Sequence, residues 1–480
     1  MPAEPHAQRC RTKIVATVGP ACRAPGKLAE LVRAGVDVFR INMAHGTRAQ
    51  HEIEIHDIRQ TSQEVGRPIG ILVDLAGPKI RLGELFQEPT ECKFGSEFRF
   101  VRGTSSTAAN IFTSNYERLI DELSIGDSVM LADGTVGLSV VDKQRDSVTC
   151  QVRAAGSVRS RQGINLPGAK LSVPAMTADD WTNAEWAAKH EIDFVSLSFV
   201  RTPDEIQELK KHLAHQRSTA MVIAKIEKRE ALDNLESIVE ASDAIMVARG
   251  DLGVETDVAE MPLAQKRVIA CCQKFLKPVI VATQMLDSMT HATRPTRAEA
   301  TDVANAILDG ADACMLSGET AVGDFPRETV EMMNRILFAT ERGLLDSQPR
   351  EPPVAAVSGV HPITAAVAYG ASRIASQLYA QLMAIVTRRG GTARVKSKLR
   401  DCIHTVAVSD NEGTLRQMCL FWGITPLSVP QVTNGAELRQ FIEQWGKQDG
   451  ILKSGDRVVF VTGSELVAHA HNVVVVHEVT

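Results

Sequence analysis

The chain has 480 residues, 44% of them hydrophobic and 23% charged, with a formal net charge of −5. That length supports two to four domains around a large core, the acidic balance argues against nucleic acid as a main partner, and no apolar run reaches the ~18 residues of a membrane span. Nine cysteines, with Cys271 and Cys272 adjacent and no CxxC pair, read as reduced, mostly buried thiols of a cytoplasmic protein.

Residues 1 to about 11 are expected to be disordered and lack the apolar stretch of a signal peptide. From Lys13 onward, strands and helices alternate. Ile14–Val18, Val38–Asn42 and Ile69–Asp74 read as strands, with helices over Leu28–Ala34 and Arg48–Glu64 between them. From about 80 to 171 the rhythm changes to short alternating runs (Glu97–Val101, Ser128–Leu131, Gly137–Val141, Ser147–Ala154) with turns such as Asp133-Gly134, a small all-β insertion. Strands then resume at Phe194–Ser198, Met221–Lys225, Ala244–Ala248, Val279–Thr283 and Ala313–Leu316. Helices are expected over Pro203–His215, Leu232–Ala241, Ala259–Phe275, Arg297–Leu308 and Thr329–Glu341. Three strands before the insertion and five after it fit a (β/α)8 barrel; a doubly wound open sheet is the alternative. After a Pro-containing linker, Gln348 to Pro353, a helix at Pro362–Leu378 and strands at Leu382–Thr387, Thr405–Ser409 and Arg457–Thr462 read as a separate α/β domain. The expected domains are therefore a barrel over 12–79 and 172–345, a β-barrel lid over 80–171, and a C-terminal α/β domain over 346–480.

In such a barrel the active site lies where the strands end. Those ends carry Arg40 and Asn42, Asp74, Ser198, Lys225 and Glu227, Asp251, Thr283, and Ser317 with Glu319. Glu227 and Asp251 are hard oxygen ligands suited to Mg²⁺ or Mn²⁺, with coordination positions left for substrate. Lys225 and Arg40 are cations for a phosphoryl group, and Arg249-Gly250-Asp251 can open a short helix whose N–H groups bind a carboxylate. These are the parts of phosphoryl transfer. No Walker A or GxGxxG sequence is present.

Ten stretches carry a family resemblance: Lys13–Pro20 (KIVATVGP), Phe39–Gly46 (FRINMAHG), Asp74–Arg81 (DLAGPKIR), Gly163–Gly168 (GINLPG), Ala224–Glu227 (AKIE), Met246–Glu255 (MVARGDLGVE), Ala282–Met289 (ATQMLDSM), Arg294–Glu299 (RPTRAE), Asp302–Gly310 (DVANAILDG) and Met315–Ala321 (MLSGETA). In this order, with the β insertion between the third and fourth strands, the chain resembles the pyruvate kinases along nearly its whole length. The resemblance implies phosphoryl transfer from phosphoenolpyruvate to ADP, giving pyruvate and ATP, in a cytoplasmic homotetramer. It implies that Lys225 stabilises the phosphoryl in flight and the enolate, that Glu227 and Asp251 hold the metal, and that Arg40 binds the phosphoryl group. Thr283 with the Gly250 and Asp251 amides would hold the carboxylate, Thr283 and Ser317 would route the proton through water, and Pro20, Asn42, His45 and Arg81 would line the nucleotide side. The insertion would close as a lid that excludes water.

Three substitutions at the K⁺ site depart from the family pattern. Ala44 and Leu75 stand where many members place two side-chain K⁺ ligands, beside Asn42 and Asp74, and Lys79 stands where those members carry glutamate. An ammonium ~4 Å from a cation costs ~4 kcal/mol at an effective dielectric of ~20, so Lys79 is expected to replace K⁺. Gln162 occupies the place of a lid lysine, for which Arg159 or Arg161 is the expected substitute. Thr387-Arg388-Arg389-Gly390-Gly391-Thr392, before the helix Ala393–Leu399, resembles the family's effector loop and is expected to take a phosphorylated metabolite, a sugar monophosphate or AMP; a plain turn is the alternative. The short loop Gly463-Ser464-Glu465 argues against fructose 1,6-bisphosphate. His45 as a structural histidine, Ser317 as a helix cap only, Lys228 and Arg229 as a solvated face, and Trp181 and Trp186 as core or interface are the plainer readings. Two other functions stay open: a different metal-dependent barrel enzyme acting on phosphoenolpyruvate or a keto acid, and a catalytically inactive paralogue that senses metabolites.

Overall fold

Eight apolar runs too short for helices and buried along nearly their whole length form the centre of the molecule, as parallel strands covered on both faces must. In the computed structural model, which describes residues 10–24, 26–169, 172–344, 360–429, 435–463 and 472–480, they are β1 (Lys13–Thr17), β2 (Val38–Asn42), β3 (Gly70–Asp74), β4 (Phe194–Leu197), β5 (Met221–Ile226), β6 (Ala244–Ala248), β7 (Val279–Ala282) and β8 (Ala313–Leu316). Each pairs in parallel with the next, and β8 returns to β1 with Ile14 opposite Cys314, closing the barrel. The open-sheet alternative is thereby excluded.

Threonine caps set where the outer helices begin. Thr47 heads Arg48–Val65, and Thr177 and Thr296 form capping boxes with Asp180 and Glu299. The helix expected over Leu232–Ala241 is two pieces, Arg229–Asp233 and Leu235–Ala241, that meet at Asn234. Helix Ala178–Lys189 was not legible from its apolar spacing. Trp186, on that helix, is buried and donates to Glu52, so its core reading holds.

The insertion builds its own core on a six-stranded sheet, with Phe98 and Phe112 stacked at 4.5 Å. The C-terminal segment forms a five-stranded sheet in the order Ile424–Ser428, His404–Ser409, Leu382–Val386, Arg457–Thr462, Val473–Glu478, the last strand antiparallel. This domain docks on the N-terminal end of the barrel through two buried carboxylates. Asp193, just before β4, accepts from Arg416 Nε at 2.6 Å, and Asp312, just before β8, pairs with Lys398 at 2.5 Å and Arg400 at 3.0 Å. The opposite mouth is left to the lid. Arg11, which the sequence places at the end of a disordered leader, is anchored, its backbone N–H donating to Glu341 at 2.7 Å and its guanidinium lying over Trp422. Residues 1–9, the linker 348–353, and Ser464 and Glu465 lie outside the described residues. All nine cysteines are free. Among the described residues no helix is long and apolar enough to cross a membrane.

Candidate active site

The strand ends converge on one buried carboxylate. Asp74, at the end of β3 and 2% exposed, accepts from Arg40 Nε and Nη2 at 2.8 and 2.6 Å, from Ser196 Oγ at 2.6 Å, and stands 3.3 Å from Lys225 Nζ. Arg40 also donates to Thr17 Oγ1 at 3.1 Å, so β1, β2, β3, β4 and β5 meet in one network. Burial alone would raise the Asp74 pKa; the charges of Lys225 and Arg40 outweigh it and hold the carboxyl at about 2. Burial works against the Lys225 ammonium in turn, but Asp74 and Glu227 lift it to about 12.

Lys225 Nζ also lies 2.9 Å from Glu227 Oε1 and 2.9 Å from Ser198 Oγ. The other Glu227 oxygen accepts from Phe199 N–H at 2.7 Å. Phe199 sits at φ 55, a strained region for an aromatic residue. Glu227 is 1% exposed, and its pKa is raised by burial and by the charge of Asp251, against the pull of Lys225. Glu227 and Asp251, carboxylates at the ends of adjacent strands, are the residues here that could hold a divalent cation. Among the described residues no cluster of three or more His, Cys, Asp or Glu side chains could hold a metal, so protein ligation there would be sparse.

Asp251 is on the short helix Arg249–Glu255 that follows β6, and its Oδ1 stands 3.5 Å from Lys79 Nζ. The Gly250 N–H donates to Thr283 Oγ1 at 2.8 Å, and Thr283 and Gln284 are both left-handed, at φ 67 and 55. Arg249 stabilises that turn by donating to the carbonyls of Thr283 and Gln284 while paired with Asp302; it is a brace for the site. Ser317 heads helix Gly318–Ala321 but makes no side-chain cap bond, and its buried Oγ has no hydrogen-bond partner. The plain helix-cap reading therefore leaves its hydroxyl unexplained.

Of the four residues expected on the nucleotide side, Pro20, Asn42, His45 and Arg81, only Arg81 lines a cleft of about 660 Å³, with Ala44, Gly46, His51, Lys79, Tyr116 and Asp179 among others. Arg81 donates to the Arg161 carbonyl at 3.0 Å. His45 and Pro20 are exposed, and Asn42 Oδ1 accepts from Ala44 N–H at 3.2 Å. The lid reaches the barrel here: a side chain on Gly134 would approach Val254 to 3.2 Å, and one on Gly163 would approach Lys79 Cε to 3.1 Å. Arg161 is turned to Glu84 at 2.6 Å, and Gln162 accepts from the Arg159 N–H within the lid turn. Lys228, expected on a solvated face, is half-buried, pairs with Glu255 at 2.5 Å and lies over the Phe199 ring; Arg229 is exposed.

In the C-terminal domain Thr387 and Thr392 are buried, Arg388 and Arg389 are exposed, and Gly390, at φ 72, leads into helix Gly391–Leu399. The other end of that helix carries Lys398, the partner of Asp312.

A closed parallel barrel with lysine, arginine and paired carboxylates at one mouth, a β lid over it and an α/β domain beneath it defines a phosphotransferase of the (β/α)8 class. The barrel-domain model of pyruvate kinase matches residues 9–330, and the pyruvate kinase alpha/beta-domain model matches 365–477. The chain belongs to the pyruvate kinase family. It is 40% identical over 454 residues to the pyruvate kinase of Mycobacterium intracellulare, covering 95% of each chain. It is 40% identical over 455 residues to that of Corynebacterium glutamicum, covering 95% of this chain and 94% of the other. With the pyruvate kinase of Agrobacterium vitis it shares 41% identity over 459 residues, 94% of this chain and 95% of the other.

Proposed function

We propose that the chain transfers the phosphoryl group of phosphoenolpyruvate to ADP, giving pyruvate and ATP. The observation that carries this is Lys225, its ammonium 2.9 Å from Glu227 and 3.3 Å from an Asp74 carboxylate that also grips Arg40. The two cations bind and neutralise the phosphoryl group in flight, and Lys225 then steadies the enolate left behind. Glu227 and Asp251 would hold Mg²⁺ or Mn²⁺, which would supply charge neutralisation to the anionic substrate. Thr283 and the Gly250 and Asp251 amides seat the carboxylate. The unpartnered Ser317 hydroxyl and Thr283 hold the water that protonates the enolate carbon. Pro20, Asn42, His45 and Arg81 face the nucleotide, and lid closure keeps water from competing with ADP.

Turnover is independent of K⁺. Oxygens that would ligate it already accept protein hydrogen bonds: Asn42 Oδ1 from Ala44, the Leu75 carbonyl from Ser198 Oγ at 2.7 Å, and both oxygens of Asp74. Lys79 provides the positive charge. A phosphorylated metabolite binds Thr387 to Thr392 and regulates the enzyme, which works as a cytoplasmic homotetramer. A coupled pyruvate assay with Mg²⁺, ADP and phosphoenolpyruvate, with Lys225→Ala as control, tests the reading. Absence of pyruvate formation by the unaltered chain would overturn the reading and leave the two alternatives, a different metal-dependent barrel enzyme and an inactive metabolite-sensing paralogue.

A further inference from the structure

The loop that carries Asn42 and His45 is supported from below by a side chain that belongs to none of the ten motifs. His51, about one turn into helix Arg48–Val65, is 5% exposed. Its Nε2 lies 2.9 Å from the His45 carbonyl oxygen and its Nδ1 2.8 Å from Glu54 Oε2, on a carboxylate that is itself only 6% exposed. The Trp186 ring fixes it edge-on, with centroids 6.4 Å apart. Gly46 rests on the imidazole: at φ +78, a Cβ there would come within 3.0 Å of Cε1.

Ala44, His45, Gly46 and Thr47 are exposed, and Ala44, Gly46 and Thr47, together with His51 itself, line the cleft of about 660 Å³. A polar partner thus faces each ring nitrogen, the His45 carbonyl on one side and the Glu54 carboxyl group on the other.

We propose that His51 is a positioning residue for the nucleotide: through the His45 carbonyl and Gly46 it sets where the 42–47 loop stands in the cleft, and so governs the affinity for ADP without touching the phosphoryl group. The proposal rests on the reading of Asn42 and His45 as nucleotide-facing. It is tested by titrating ADP and phosphoenolpyruvate separately with His51→Phe, which keeps the ring volume and removes both hydrogen bonds. The KM for ADP should rise about tenfold, the loss expected for one buried hydrogen bond. The KM for phosphoenolpyruvate and kcat at saturating ADP should stay within about twofold. His51→Gln, which can still donate to the carbonyl, should recover most of the ADP affinity. An unchanged KM for ADP, or an equal rise for both substrates, overturns the proposal. Should His51→Phe fail to fold, Glu54→Gln decides: it should weaken ADP selectively, and no selective change overturns the proposal. Arg81→Ala separates the two levels. If it leaves the KM for ADP unaltered, the nucleotide-side reading fails and takes this one with it; if it raises that KM while His51→Phe does not, the positioning role alone fails.

Discussion

Lys225 Nζ stands 3.3 Å from Asp74 Oδ1 across 151 residues of sequence, while Arg40 holds the other oxygen of the same carboxylate at 2.6 Å. One buried anion thus spaces the two cations that the chemistry needs side by side. Removing its charge should let them repel and splay apart. Asp74→Asn is expected to lower kcat about 10²-fold, and Lys225→Ala about 10³-fold or more, in the coupled pyruvate assay.

The same carboxylate makes stability depend on acid. Its folded pKa of about 2 is below the ordinary value of 3.8. The contribution is therefore fully present above pH ~4 and is lost as pH falls toward 2, and it amounts to about 2 kcal/mol. In urea melts the gap between the unaltered protein and Asp74→Asn should close by about that amount between pH 5 and pH 2. A gap constant across that range would contradict the assignment.

Burial and Asp251 together push the Glu227 carboxyl upward, and a divalent ion relieves both. Chelation should abolish turnover and Mn²⁺ should restore it. Asp251→Asn and Glu227→Gln should each raise the Mn²⁺ concentration for half-activation about tenfold or more, read in parallel by electron paramagnetic resonance of bound Mn²⁺.

Lys79 lies 3.5 Å from Asp251, and turnover should be equal in sodium-only and potassium buffers. A many-fold rise on adding K⁺ would refute the substitution of ammonium for ion. Lys79→Ala should lower turnover at least tenfold in potassium-free buffer.

Arg388 and Arg389 project from the entry to helix Gly391–Leu399, whose far end is tied to Asp312 at the base of β8. Calorimetric titration with sugar monophosphates and AMP should give binding that Arg388→Ala and Arg389→Ala each weaken about tenfold. Silence across the panel would make the loop a plain turn.

The barrel was legible because a buried parallel strand needs a continuous apolar run and its crossover a helix, and both leave periodic marks in a sequence. The same rhythm located Arg40, Lys225, Glu227 and Asp251 at strand ends. Helix Ala178–Lys189 was not legible: its Thr177–Asp180 capping box is clear, but its buried face includes Asp180 and Asn183, so apolar spacing is weak. The apolar spacing over Leu232–Ala241 predicts one helix because periodicity does not register the break at Asn234.

Residue identity and local spacing, then, determined which side chains could reach the mouth of the barrel. Only the tertiary structure decided which partner each one has. Lys228 pairs with Glu255, Arg161 turns to Glu84, and His51 reaches back to the His45 carbonyl. Ion pairs and hydrogen bonds depend on distances of ångströms between atoms, and chain order does not encode those distances until the barrel closes.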